Sequence, residues 1–425
     1  FDQSGRCFSM SEMDCYRRQT CRMCLSQVLR KVMALTPTPP GNNFVTKEDL
    51  ELEQPCYPLE LHFCENCNHV QLGHVVAPEI LYQRDYSYVS STSSHFVSHL
   101  RDYAEHMVGK YACQQNDFVI DIGSNDGTCL SFFQKQGMRV LGVDPAGNIA
   151  EIANKNGVET IAEFFCLSTA KDIKKSHGKA KLITSHNACA HIDDLDSVVD
   201  GVKYLLDDDG IFCLEVGYLY DVYSNNWFDT IYHEHVDYHL VKPFLYLFSR
   251  FDMEVISVER ISPQGGSIRV VAQHKGGLYD KDASVEELIQ LEDGAGLYAA
   301  DTYVKFAQKI NGVKLDLREL LDELKCEGKS VAAFGAPTKA TTLMAHFEIN
   351  GEDIDYIVDE NPLKQGLYSP GVHIPVFSAD KLHLDKPDYV LILAWNFAEQ
   401  IMKNHEQYTQ QGGRFIVPMP HPKII

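Results

Sequence analysis

Residues 231–239 read IYHEHVDYH, which places three histidines, a glutamate and an aspartate within nine positions. Groups of these types bind a metal, move protons or decorate a solvated loop. Metal is the weakest of the three readings. The HExxH pattern would need histidine at 237, where Asp237 stands, and no third ligand is evident beside His235 and His239. Proton transfer suits the set better. A neutral imidazole titrates near working pH and can take a proton from carbon next to a carbonyl. A neighbouring glutamate can orient that base, and a tyrosine can donate a hydrogen bond to the enolate oxygen.

Other residues carry chemistry at fixed spacing. CRMC (Cys21, Cys24) and CENC (Cys64, Cys67) are two CxxC pairs separated by 39 residues, with the Pro-rich TPTPPGNNF between them. Four thiolates fill a tetrahedral shell, so a structural zinc is expected. A single redox CxxC would not need the second pair. Further along, DIGSNDG (Asp121, Gly123, Asn125, Gly127) is a glycine-rich turn with no lysine to grip a terminal phosphate. Its acidic residues suit a ligand with a cationic amine. In GVDP, 17 residues after Gly127, Asp144 is placed to bond ribose hydroxyls. S-adenosylmethionine (SAM) fits this pair better than NAD does. The expected cofactor-binding set is Asp121, Gly123, Asn125, Gly127, Asp144, Pro145 and Phe164.

Elements must place these groups. From about residue 117 short apolar runs (DFVIDI, RVLGV, KLITSH, GIFCLEVG) alternate with helical stretches. That spacing predicts a parallel, doubly wound sheet whose ligands sit at the carboxyl ends of its strands. The histidine-rich stretch follows this unit. Residues from about 283 to 328 have apolar positions at helical spacing, and a second, smaller α/β unit follows, with its own glycine turn.

Composition bounds the partners. With 425 residues and 44% apolar content, two or three domains are expected. A net charge of -21 repels nucleic acid and anionic membranes, so neither is an expected partner. No apolar run approaches a membrane span and no signal-peptide pattern opens the chain; with thirteen cysteines read as thiols or metal ligands, a cytoplasmic location is expected.

Taken together, CRMC…CENCNHVQL, YSYVSSTS, DIGSNDG, VDPAGNIA, HNACAHIDD, YHEHVDYH, SPQGGSIRV, GAPTKATTL, VDENPLKQGLYSPGVHIPV and AWNFAEQI resemble the SAM-dependent sugar C-methyltransferases that act on nucleotide-linked 4-keto-6-deoxysugars. The resemblance implies an α/β protein in three parts. A zinc module spans 1–85, a class I SAM methyltransferase domain of Rossmann-like fold spans 86–282, and an α/β domain that helps bind the sugar nucleotide spans 283–425. Tyr232, Glu234 and His235 match the family's active-site tyrosine, glutamate and histidine, with His235 as the base. Tyr86 matches a tyrosine that reaches the sugar, and His191 matches a histidine close to the reacting groups. Lys339, Trp395 and Asn396 are candidates for the nucleotide end, although the family's GAxAKG turn reads GAPTKA here.

Lesser features leave two readings each. Ser267 and Arg269, in GGSIR, either touch substrate or form a turn into a strand. Lys364 either holds phosphate or is an exposed loop lysine, and Trp395 either stacks on a base or belongs to the core. The acidic runs DDLD and DDDG are expected to be solvated loops. Two rivals to carbon methylation remain at this point: transfer to an oxygen, nitrogen or non-sugar ketone, and an inactive zinc scaffold. Oligomeric state is not legible.

Overall fold

The computed structural model describes residues 14–82, 89–111 and 113–425. Its centre is a seven-stranded sheet in the order Met253–Ile261, Ser267–His274, Leu206–Gly217, Ala180–His186, Phe118–Ile122, Arg139–Val143, Thr160–Ile161. Ser267–His274 runs antiparallel to both neighbours, and the remaining pairs are parallel. This is the strand order of a class I SAM methyltransferase. Phe118–Ile122 is buried along its whole length, as a strand covered by helices on both faces must be. Strands are added on one side of Phe118–Ile122 up to Thr160–Ile161 and on its other side from Ala180–His186 onward, and this switch in strand order between two parallel neighbours opens a crevice at their carboxyl ends.

The zinc module folds around Leu29–Thr38, Tyr57–Cys64 and Val70–Leu72. Its two knuckles repeat one another. Leu25 N–H bonds the Cys21 carbonyl and Asn68 N–H bonds the Cys64 carbonyl, each at 2.9 Å, with Leu25 and Asn68 both left-handed. The four sulfurs lie within 4.8 Å of one another, with Cys21 to Cys67 and Cys24 to Cys64 at 3.5 Å. A tetrahedral zinc with bonds of about 2.3 Å fits between sulfurs so spaced.

The fourth strand of that sheet comes from elsewhere in the chain. Asp237–Tyr238, within the histidine-rich stretch, pairs antiparallel with Val70–Leu72. Arg22, between the first two zinc ligands, is 1% exposed and bonds the carbonyls of Leu72 and Val236. Its guanidinium is 2.8 Å from Asp193 and 3.7 Å from Asp237. This corrects the reading of DDLD as a solvated loop. Asp193 anchors the zinc module, Asp194 caps the helix Leu195–Leu205, and Asp196 pairs with Arg250. DDDG is solvated but is not a loop: it lies at the irregular start of the strand Leu206–Gly217, where Asp208 and Asp209 pair with Lys179 and Lys181.

In the C-terminal unit, helices Ser284–Gly294 and Ala300–Cys326 precede a six-stranded sheet. Its order is Val376–Phe377, Ile357–Val358, Val331–Phe334, Tyr389–Ile392, Arg414–Val417, Lys423–Ile424, parallel except for the last pair. Tyr303, Phe306, Ile310, Val313, Leu317, Leu321 and Leu324 recur at three- and four-residue spacing along Ala300–Cys326. At the zinc module this helix meets Phe63 through Tyr303, ring centroids 5.8 Å apart. One apolar core thus runs from Leu35 and Leu61 through Leu214 to Phe347. No helix among the described residues is long and apolar enough to cross a membrane.

Replacing Arg22 by Met leaves Asp193 and Asp237 short of a buried cation. We expect urea unfolding to show a loss of about 3 to 5 kcal/mol. Stripping zinc with a chelator should abolish turnover while calorimetry still detects SAM binding, because the glycine turn lies in the central sheet.

Candidate active site

The cofactor crevice is built on positive backbone angles. Gly123 has φ 73°, and a Cβ there would sit 2.4 Å from the Ala188 side chain; Gly127 has φ 77° against Val158. Asn125 N–H donates to Asp144 Oδ2 at 2.9 Å, and Ala146 N–H donates to Oδ1 at 2.9 Å. Burial raises the Asp144 pKa. Carboxylate oxygens accept more than one hydrogen bond, so this anchoring leaves capacity for a ribose hydroxyl. Pro145 is exposed beside Asp144, and Phe164 is 58% exposed in the segment after the third strand of the unit.

Asp121 turns inward. It is 2% exposed, with Oδ1 3.7 Å from His186 Nδ1, and burial raises its pKa. Asp126 is also committed, to Thr128 and to the Ser91 amide, while the Asn125 side chain accepts from the Ser90 amide at 2.8 Å. The segment Ser90–Thr92 therefore covers the glycine turn. Nothing in the spacing of the motifs pointed to that contact. Tyr86, expected to reach the sugar, lies outside the described residues.

The histidine-rich loop separates its members by environment. His233 is buried against Tyr57, whose carbonyl it meets at 3.1 Å, and burial lowers its pKa to about 4. His239 is fully buried and stacked on Phe244 at 5.0 Å. His235 differs. Its Nδ1 is 3.0 Å from the Thr230 carbonyl and its Nε2 is 2.8 Å from the Tyr232 hydroxyl. A carbonyl only accepts, so Nδ1 carries the proton and the Nε2 lone pair receives the phenol. Burial lowers the His235 pKa to about 4, which keeps the ring neutral. The His191 ring lies 5.0 Å away, its own pKa lowered to about 3 by burial and by His235.

Glu234 moves the other way. It is 8% exposed, and burial raises its pKa to about 7 against the opposing pull of Asn42 and Lys364. Asn42, from the Pro-rich insert of the zinc module, lies 3.5 Å from Glu234 and accepts from Thr338 of the C-terminal unit at 2.8 Å. Lys364 is partly buried, donates to the Ala336 carbonyl at 2.7 Å, and has its pKa lowered by burial. That corrects its reading as an exposed loop lysine. Zinc module, central domain and C-terminal unit thus meet around Glu234. Asn42 escaped the sequence reading; PPGNN, a stiff turn next to two amides, was the available signal.

Other candidates are committed within the fold. Ser267 is 2% exposed and donates to the Pro263 carbonyl at 3.0 Å. Arg269 is 7% exposed and pairs with Glu215 at 2.7 Å and Glu259 at 2.8 Å. A Cβ on Gly265 or Gly266 would strike Trp227 or Asp221. The GGSIR segment is therefore a tight turn leading into a strand, with Arg269 held in an internal ion pair. Trp395 is 8% exposed, with its indole N–H 2.7 Å from buried Asp229. Lys339 lies 3.5 Å from the same carboxylate and 4.6 Å from the Trp395 ring centroid. Asn396 is exposed next to them.

Three family models match in chain order: a zinc binding domain over 21–82, a methyltransferase domain over 95–258, and a C-methyltransferase C-terminal domain over 262–420. C-methyltransferase NovU of Streptomyces niveus is 36% identical over 405 residues, covering 95% of this chain and 96% of NovU. Among solved structures, a SAM-dependent methyltransferase from Clostridium acetobutylicum ATCC 824 is 12% identical and covers 42% of this chain and 92% of its own, with TM-score 0.35. The magnesium protoporphyrin IX methyltransferase ChlM of Synechocystis PCC 6803, with bound SAM, is 11% identical and covers 43% and 82%, with TM-score 0.33. With 36% identity along nearly its whole length, and the three domains in order, the chain belongs to the family of SAM-dependent C-methyltransferases with a zinc-binding domain.

Proposed function

We propose that the protein methylates the carbon next to the ketone of a nucleotide-linked 4-keto-deoxysugar, with His235 as the base. The observation that carries this reading is the Thr230–His235–Tyr232 chain of hydrogen bonds. It supplies a neutral imidazole of fixed tautomer, with its lone pair aligned on a phenol. When the ketone oxygen takes over the Tyr232 hydrogen bond, the Nε2 lone pair is released for the α-proton. The imidazole then holds that proton, and Tyr232 donates to the enolate oxygen. Bound along the Gly123–Gly127 turn and Asp144, SAM supplies an electrophilic methyl with a neutral sulfide as leaving group. Holding carbanion and methyl in near-attack geometry contributes at most about 7 to 11 kcal/mol.

A nucleotide on the acceptor is supported by a repeat of the cofactor turn. In the C-terminal unit Asp359 Oδ2 accepts from Ala336 N–H at 2.6 Å and Oδ1 from Asn361 N–H at 2.7 Å. Asp144 makes the same pair of bonds in the central domain. Gly335 has φ 90°, with a Cβ excluded by Ala394. Each unit thus ends its second strand in a carboxylate braced by a glycine turn.

Mass spectrometry with SAM and a panel of nucleotide-linked 4-keto-deoxysugars tests the reading. One added methyl and enzyme-dependent deuterium uptake beside the ketone are the expected result. His235→Ala should retain zinc and SAM but lose at least about a hundredfold in kcat; full activity would refute the assignment. Glu234 gives a separate pH signature. Its folded pKa is raised, so the stability gained from its protonated form is present below the unfolded value near 4.5 and is lost as pH rises through about 7. Glu234→Gln should flatten the pH dependence of the unfolding free energy across that window, on the order of 3 kcal/mol.

A further inference from the structure

Two of the groups expected at the nucleotide end, Trp395 and Lys339, meet a buried carboxylate. Asp229 is 0% exposed, and its Oδ2 takes the Trp395 indole N–H at 2.7 Å and lies 3.5 Å from the Lys339 ammonium. Trp395 also meets Trp227 edge to face, with centroids 6.3 Å apart. Asp229 is the central residue of the short 3-10 turn Phe228–Thr230. The next residue, Thr230, provides the carbonyl that receives His235 Nδ1–H. Its hydroxyl in turn bonds the Trp227 carbonyl at 2.7 Å. One residue further, the Ile231 carbonyl takes the Thr342 hydroxyl at 3.0 Å. Phe228 stacks on Phe347 at 4.9 Å. Every one of Trp395, Lys339, Thr342 and Phe347 belongs to the C-terminal unit.

We propose that Trp395 and Lys339 are positioning residues: through Asp229 they fix the Thr230 carbonyl and so the tautomer and orientation of His235. The inference rests on the reading of His235 as the base, and gives the C-terminal unit a part in setting the base that is separate from binding the acceptor. Its physical logic is short. A buried carboxylate costs free energy unless it is paired, so Asp229 holds to the indole and the ammonium. That fixes the 3-10 turn, and a turn of three residues has little freedom to move its carbonyls independently. Loss of the Thr230 acceptor would leave Nδ1–H unpaired, and the proton would distribute between the two ring nitrogens. The fraction with its proton on Nε2 cannot act as the base.

The test reads the tautomer directly. Protein labelled with 15N-histidine is studied by long-range proton–nitrogen NMR, and the His235 signals are assigned by their loss in His235→Gln. In the wild type the pattern should be that of a ring protonated at Nδ1. Trp395→Phe keeps an aromatic ring but removes the N–H. It should shift the pattern toward a mixture and lower kcat by about tenfold to a hundredfold, with KM for SAM and acceptor close to wild type. Asp229→Asn retains an oxygen for the indole but no charge for Lys339, and should change both readouts in the same direction by less. If Trp395→Phe does not fold, Asp229→Asn decides. An unchanged tautomer with a raised acceptor KM would make Trp395 a substrate contact and overturn the proposal, as would no change in either. Full activity in His235→Gln would remove the base reading, whereas the tautomer shift would still report whether the latch acts on the ring.

Discussion

A guanidinium with no access to water governs the architecture. Arg22 lies between two zinc ligands, and its charge is tolerable there only because carboxylates and carbonyls surround it. Those partners come from the zinc module itself, from the loop after His191, and from the residues after His235. The metal knuckle sets where Arg22 begins, and the charge requirement sets what must gather at its end. The fourth strand of the zinc-module sheet, Asp237–Tyr238, follows from that requirement.

The loop from 227 to 239 consequently has little structure of its own. It is held by the C-terminal unit at the Asp229 side chain and the Ile231 carbonyl, and by the zinc module at the His233 and Asp237 side chains and the Val236 carbonyl. Rigid surroundings let adjacent residues acquire opposite chemistry. His235 is kept neutral by burial, while Glu234, one position away, is kept close to half-protonated near neutral pH. A mobile, solvated loop would return both to ordinary values.

Local chemistry was readable in the sequence, and long-range commitments were not. Cysteine spacing predicts the metal shell because ligand number and bite are local properties. Apolar runs predict the parallel part of both sheets because central strands such as Phe118–Ile122 and Val331–Phe334 are buried on two faces, whereas they do not predict the antiparallel strands Ser267–His274 and Lys423–Ile424. The Asp237–Tyr238 strand has only two residues and therefore no period to detect. Asp193, Ser267, Arg269 and Lys364 carry residue types common on exposed surfaces, and only the fold shows the internal partners that hold them. Asn42 illustrates the same limit from the other side, since it acquires a role only where three parts of the chain meet.

The shared sheet also bears on how such enzymes can be recombined. A crossover that exchanges the first 82 residues between two relatives would replace Val70–Leu72 and Arg22 while keeping Asp237–Tyr238 and Asp193. The graft would cut through a hydrogen-bonded ladder and a buried ion pair at once. The zinc module is therefore not a cassette that can be shuffled at its domain border. The zinc module and the histidine loop form a single unit of inheritance, although more than 140 residues separate them in the chain.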